Sequence, residues 1–142
     1  MNIRGILAPY CFVLLLATGC TGGDEEALGG PGLPQQIQGE TYPGPRQELT
    51  GAIELASNGC VNLVTDAGPR MVIWPAGSEL AGPVRLPDGT PLADGDRIRG
   101  TGAKVRVDAL AGGADGYWGS VIGFCDPDAR EVIVFDDVHQ DR

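Results

Sequence analysis

Turn signals divide most of this sequence into short apolar runs, and this spacing limits the fold more than any other feature. Glycine and proline together supply 34 of the 142 residues, 23 and 11 respectively, which is about twice their usual share. From Gln47 onward the runs recur at turn spacings of about ten residues. None of them shows the 3.6-residue apolar period of an amphipathic helix. The sequence therefore predicts an all-β domain of short strands.

Turn residues separate the predicted strands. Asn58-Gly59 is a typical hairpin signal, because this pair tolerates the positive φ of a tight turn. Gly100 and Gly102 interrupt the alternation of the longest run, which predicts a β-bulge or a barrel corner there. The predicted strands cover residues 48–55, 60–65, 70–74, 84–86, 96–108, 117–124 and 131–135.

A small barrel is the most economical architecture for these strands, because closing the sheet removes its exposed edges. The opening meander and the segment GDRIRGTGAKVRV, residues 95–107, resemble the oligonucleotide/oligosaccharide-binding (OB) barrel. That family usually has a helix between its third and fourth strands, and the sequence shows no counterpart. We expect an all-β fold, a small Greek-key or OB-like barrel of six or seven strands. A barrel of another type is the alternative.

The first twenty residues have a different character. Arg4 provides a positive charge, and an apolar run of twelve residues, 6–17, follows it. This run is too short to cross a ~30 Å hydrocarbon core, and the pattern is typical of a secretory signal peptide. The run leads to Leu16-Ala17-Thr18-Gly19-Cys20, which resembles the lipobox of bacterial lipoproteins, although that family prefers leucine where this chain has Ala17.

The lipobox resemblance implies cleavage before Cys20, a thioether-linked lipid on its sulfur and usually an acyl chain on the new amino group. An ordinary secretory signal with an incidental cysteine is the alternative. We expect a signal peptide at 1–19, the lipidated cysteine and a flexible linker at 20–46, and the barrel domain at 47–142. The expected localisation is the extracytoplasmic face of the cell membrane, with the lipid on Cys20 as the anchor.

The linker prediction comes from composition. Residues 21–46 hold Gly, Pro and Gln with almost no apolar periodicity. Such a stretch buries too little surface to offset its ordering entropy. A flexible chain of 26 residues has an r.m.s. span of roughly 25–30 Å, which would hold the domain clear of the lipid head groups.

The cysteines predict one disulfide. Cys11 and Cys20 belong to the signal and the lipid site, which leaves Cys60 and Cys125 in an exported domain. A pair in an oxidising compartment predicts a bridge, and closing a loop of this size stabilises the fold by about 4 kcal/mol in the chain-entropy model. A zinc site or a redox pair is the alternative, but there is neither a CxxC motif nor a second histidine. We expect no metal and no cofactor.

Three aromatic residues form the candidate ligand surface: Trp74, Tyr117 and Trp118. An exposed ring on the glycine-rich stretch around Tyr117 could stack on a sugar or contact a peptide. The alternative is structural, because adjacent strand residues point to opposite faces and one of the pair would fill the core. Alternation places Trp118 with Ile122 and Phe124 on the predicted core face. Tyr117 is then the more exposed of the two.

The net charge of the chain and the lack of a catalytic motif argue against several classes of function. The net charge of −9 argues against a nucleic-acid partner, which needs a basic surface. No catalytic motif is evident, and the one histidine, His139, lies in a polar tail. Aspartate pairs as a calcium site, and glutamate pairs as the carboxylates of a glycoside hydrolase, remain alternatives. The spacing of these residues favours turns and solvated surface charges instead. We expect a non-enzymatic module that binds an envelope protein, peptide or glycan. The alternatives are an accessory subunit of an envelope complex and an enzyme.

Overall fold

The chain folds into a closed β-barrel with a small second sheet and one helix. The structure is a computed structural model that describes residues 33–82 and 84–142. Single 3-10 turns lie at Val107–Ala109 and Gly113–Asp115. The elements are β1 (Gln47–Leu55), β2 (Val61–Thr65), β3 (Gly68–Ile73), β4 (Glu79–Leu80), β5 (Val84–Arg85), β6 (Pro91–Leu92), β7 (Arg97–Arg106), α1 (Tyr117–Cys125) and β8 (Glu131–Gln140).

Five strands close the barrel in the order β1-β2-β3-β8-β7, with β7 returning to β1. Neighbouring strands are antiparallel except β3 and β8, which pair in parallel at Val72–Ile133 and Ile73–Val134. The last strand is thus inserted between the third and fourth barrel strands, which gives a Greek-key, OB-like barrel. The small sheet β4-β5-β6 lies between β3 and β7 in the chain. The predicted fold class is confirmed.

The hydrophobic alternation of β1 sets which side chains point into the barrel. Leu49 and Ile53 are buried, whereas their neighbours Glu48 and Thr50 are exposed. A period of two is what a strand with one buried face requires. The predicted hairpin after β1 also forms, with Gly59 at a φ of +85°.

The predicted bulge in β7 is confirmed, and close backbone approach explains its glycines. The register against β8 shifts between Thr101 and Gly102. A Cβ at Gly100 would lie 2.1 Å from the carbonyl oxygen of Asp137, and one at Gly102 would lie 2.2 Å from that of Val134. Only glycine fits there, because any side chain would push the two strands apart.

The buried residues form two clusters. The inner core fills the barrel and the space under the small sheet: Leu33, Leu49, Ile53, Val61, Leu63, Val72, Trp74, Val84, Leu86, Leu92, Ile98, Ile133, Phe135 and Val138. The outer core lies outside the barrel, on the opposite faces of β3, β7 and β8, beneath α1: Tyr42, Met71, Ile73, Ala103, Val105, Leu110, Trp118, Ile122, Val132 and Val134.

Residues 33–46, which we call the strap, pack on the barrel ahead of β1. Leu33 is fully buried in the inner core. The Trp74 amide donates a hydrogen bond to the Pro34 carbonyl, and the Gln36 amide donates one to the Trp74 carbonyl, both at 2.8 Å. The strap therefore forms a short parallel β-bridge, between Gln35 and Trp74, just after the end of β3.

The strap corrects the predicted domain boundary. The expected flexible linker covered residues 20–46, with the folded domain from 47, but residues 33–46 are packed on the barrel and belong to the folded unit. Composition was misleading because a few apolar side chains without any period, such as Leu33 and Tyr42, are enough to fix an irregular segment on a barrel. Residues 1–32, with the predicted signal peptide and Cys20, lie outside the described residues.

The predicted strand at 117–124 is wrong, because this segment is the helix α1. Trp118 and Ile122, four residues apart, share one helical face and are buried in the outer core. Phe124 was expected beside them and is instead 60% exposed. The helix lies between β7 and β8, not between the third and fourth barrel strands in the usual OB manner. No helix within the described residues is long and apolar enough to cross a membrane.

Candidate functional site

Two of the three predicted ligand-surface residues are inside the protein. Trp74 and Trp118 are both 0% exposed, whereas Tyr117 is 43% exposed. Trp74 lies in the inner core near the ring of Phe135, with ring centroids 6.3 Å apart. The expected aromatic surface of Trp74, Tyr117 and Trp118 is therefore wrong for both tryptophans. The prediction that Trp118 is buried and Tyr117 the more exposed of the two is confirmed.

Trp118 is the centre of a polar and aromatic cluster that attaches the strap to α1. Its Nε1 donates a hydrogen bond to Glu40 Oε2 at 2.8 Å, and the Tyr42 hydroxyl donates to the same oxygen at 3.0 Å. The Tyr42 and Trp118 rings meet edge to face with centroids 6.0 Å apart. Burial is the main cause that raises the pKa of Tyr42 to about 12. The cluster joins the strap to α1. Its two rings, Tyr42 and Trp118, are buried and present no open aromatic face to a ligand.

The predicted disulfide between Cys60 and Cys125 is confirmed. Their Cα atoms are 5.7 Å apart, and the bridge joins the last residue of α1 to the residue before β2. The helix is thus covalently attached to the barrel, beside the loop that links β1 and β2.

An open groove of about 660 Å³ lies along α1, between the helix and the ends of β7 and β8. Val107, Ile122 and Ala129 provide apolar lining and charged side chains surround them. No aromatic residue lines this groove. The complete lining is Arg106, Val107, Asp108, Ala114, Gly119, Ile122, Gly123, Asp126, Pro127, Ala129, Arg130 and Glu131.

The two helical glycines of the groove differ in what the fold demands of them. A Cβ at Gly119 would lie 1.8 Å from the carbonyl oxygen of Ala114, so the close approach of the preceding turn requires glycine there. A Cβ at Gly123 would meet nothing within 4 Å. Glycine in a helix interior is destabilising by roughly 0.5–1 kcal/mol relative to alanine. Packing therefore does not explain Gly123, and its missing side chain leaves the groove open.

Charged side chains of both signs surround the groove. Arg106 Nε donates a hydrogen bond to Asp108 Oδ1 at 3.0 Å, and a second nitrogen of the same guanidinium contacts Oδ2. The hydrogen bonds from Arg106 lower the pKa of Asp108 and raise that of Arg106. The Asp126 carboxylate accepts a hydrogen bond from the Asp128 amide at 3.2 Å. Most groove charges thus have partners within the fold.

A second hollow of about 380 Å³ shares four residues with the groove: Asp126, Ala129, Arg130 and Glu131. Arg70 and Asp128 complete its lining. The stretch from Asp126 to Glu131 therefore borders both hollows.

Asp94 and Asp96, one of the aspartate pairs considered for calcium, lie at a turn. Asp94 Oδ1 accepts a hydrogen bond from the Leu55 amide, and Asp96 Oδ2 accepts one from the Ala93 amide, both at 2.8 Å. Within residues 33–82 and 84–142, no three His, Cys, Asp or Glu side chains are placed to hold a metal ion.

Sequence reasoning missed the groove because its walls come from three separate segments, 106–108, 114–123 and 126–131. The spacing of Gly119 and Gly123 at i, i+4 was the only local signal, and it is visible only if the segment is taken as a helix. No family model, curated protein or solved structure matches this chain. The function is therefore inferred from the groove and from the sequence.

Proposed function

We propose that this protein is a lipid-anchored binding module on the extracytoplasmic face of a membrane, held there by Cys20. It binds a segment of an envelope protein and catalyses no reaction. The lipobox-like sequence at residues 16–20 supports the anchor. The Cys60–Cys125 disulfide supports an oxidising compartment, because such bridges persist mainly outside the cytosol.

The groove with its vacant position at Gly123 is the observation that carries the binding proposal. Ligand sites are concave and combine apolar surface with placed polar groups, and this groove combines apolar residues such as Val107 and Ala129 with charged side chains. Sugar sites usually offer an aromatic face, and here the exposed rings of Tyr117 and Phe124 lie outside the groove. A polypeptide segment, with apolar side chains and charges of both signs, suits the lining better than a glycan.

One observation favours an accessory subunit as the second candidate. Tyr117, Val121 and Phe124 share one helical face of α1 at i, i+4 and i+7. Tyr117 and Phe124 are 43% and 60% exposed. An exposed apolar stripe of this kind fits contact with another subunit better than contact with a small ligand.

The anchor is tested by fractionating cells that express the full chain and its Cys20→Ala variant. We expect mature wild-type protein in the membrane pellet, released only by detergent, because two or three acyl chains hold a protein stably in a bilayer. The Cys20→Ala variant should be neither cleaved nor lipidated. A wild-type protein with an unmodified cysteine in the soluble fraction would refute the anchor.

Binding is tested by placing a photo-crosslinking phenylalanine analogue at single positions in and around α1 in the cell. A partner in the groove should form an adduct from Ala114, which lines the groove and is exposed, and not from Glu79, which is exposed on the small sheet. Replacing Phe124 in the same way tests the accessory-subunit candidate. Adducts from Phe124 alone would support that candidate and contradict the groove.

A further inference from the structure

Arg130 is held by its backbone while its side chain remains unengaged. The Arg130 carbonyl accepts a hydrogen bond from the Val107 amide at 3.0 Å, just before β8 begins. Its side chain is exposed. The guanidinium takes part in none of the ion pairs or side-chain hydrogen bonds formed within residues 33–82 and 84–142.

The other arginine of the groove has a partner already. Arg106 lies opposite Glu131 in the pairing of β7 with β8, yet its guanidinium binds Asp108 through two nitrogens. That pair satisfies both charges, so Arg106 has less to offer a ligand. Arg130 is left as the groove cation with free donors.

We infer that the groove binds a polypeptide segment carrying a carboxylate, and that Arg130 receives this carboxylate. The inference rests on the proposed function and names its ligand class. A guanidinium presents donors in a planar fork that matches the two oxygens of a carboxylate. Arg130 borders both hollows, so it can meet a ligand that extends from one hollow into the other.

The acidic side chains beside Arg130 determine how much negative charge a ligand can carry. Asp126 and Glu131 line the same groove, and the whole chain has a net charge of −9. A polyanion would meet repulsion from these carboxylates. A segment with one carboxylate, placed on Arg130, avoids that repulsion, so the site selects a single acidic residue among apolar ones.

Gly123 supplies the space that such a segment needs. The missing side chain lets a ligand backbone approach the helix, with the apolar side chains of Ile122 and Val107 close by. The acidic residue is then bound at Arg130 while the rest of the segment lies along α1.

The test uses the purified full-length mature protein in detergent and a positional-scanning hexapeptide library. The peptides are acetylated and amidated, so Asp and Glu side chains are their only carboxylates. We expect peptides with Asp or Glu at one position to bind about fivefold more tightly than their Asn or Gln counterparts, the size of a good exposed ion pair. Arg130→Gln should remove this preference. Arg97→Gln, which removes the same charge from another exposed arginine, should leave it unchanged.

Gly123→Phe separates the two proposals, because Gly123 lines the groove, a Cβ there meets nothing within 4 Å, and the added ring would occupy space that a ligand needs. We expect it to abolish binding of every peptide while the melting temperature stays near that of the wild type. If peptides bind without an acidic preference, or if Arg130→Gln retains that preference, the assignment of Arg130 is refuted and the groove stands. If Gly123→Phe still binds, or if no peptide binds the wild type, both proposals are refuted.

Discussion

The inner and outer cores are similar in composition but differ in how they are held together. The inner core is enclosed by five strands whose backbone hydrogen bonds run around the whole barrel. The outer core is covered by two pieces, the strap and α1, and its strongest links are the Cys60–Cys125 bridge and the hydrogen bonds to Glu40. A continuous ladder resists local opening better than a few separate links. We call the strap, α1 and the outer core beneath them the outer layer. We expect this layer, which borders the groove, to be less stable than the barrel.

The largest expected effect comes from truncating the central ring of each core. Phe135→Ala and Trp118→Ala should each destabilise the fold by about 3–5 kcal/mol, because both rings are fully buried and each truncation leaves a cavity. The variants should differ in cooperativity: Phe135→Ala should unfold in one step, whereas Trp118→Ala should release α1 first. Urea unfolding followed by far-ultraviolet circular dichroism measures both. Identical single transitions in the two variants would contradict the expected difference in stability between the inner and outer cores.

Removing the disulfide should have the next largest effect. Cys60→Ser should destabilise the fold by about 2–5 kcal/mol, as is usual for a native bridge in a small exported domain. Because the bridge ends on α1, amide hydrogen exchange should accelerate more in residues 117–125 than in β7 and β8. The double variant with Cys125→Ser controls for a free thiol. Equal acceleration throughout the barrel would contradict a separate outer layer.

Alkaline pH should weaken the outer layer through Tyr42. An unfolded tyrosine ionises near its ordinary pKa of 10, whereas burial keeps the Tyr42 proton in the fold until about pH 12. Between these values the unfolded state loses the proton first, so the free energy of unfolding should fall as pH rises from 10 to 12. Tyr42→Phe should flatten this decline. Burial raises the pKa of Tyr117 as well, but its ring is more exposed than that of Tyr42, so Tyr117→Phe should flatten the decline less. An equal flattening in the two variants would contradict the assignment to Tyr42.

The smallest expected effect sharpens the contrast between the two glycines of α1. Gly123→Ala should raise the free energy of unfolding by about 0.5–1 kcal/mol, the helix-interior difference between these residues. Gly119→Ala should lower it, because its Cβ would collide with the Ala114 carbonyl. Thermal melts of both variants give the comparison. A loss of stability in Gly123→Ala would show that packing, not access to the groove, requires this glycine.

The barrel could be predicted from the sequence because the residue patterns that specify each strand and turn lie within that strand or turn. Alternation in β1, the hairpin at Asn58-Gly59 and the glycines of β7 each fix their own stretch of backbone. The strap has no such pattern, since its contacts with Trp74 and Trp118 are distant in sequence.

The helix was missed for a more specific reason. Trp118 and Ile122 are four residues apart, a separation that places them on one face of a strand and also on one face of a helix. Phe124, six residues from Trp118, distinguishes the two cases, and the alternation argument placed it on the wrong side. The groove depends on that helix and so could not be predicted either.

The position of the strap sets how far the barrel could lie from a membrane under the proposed Cys20 anchor. Thirteen residue steps separate Cys20 from Leu33, and a chain of that length reaches at most about 43–47 Å even when fully extended. If Cys20 carries the proposed lipid, the first residue of the strap would stay within that distance of the bilayer surface. Such a tether would raise the effective concentration of the domain towards membrane-bound partners. It would also keep the domain from partners that lie beyond that distance.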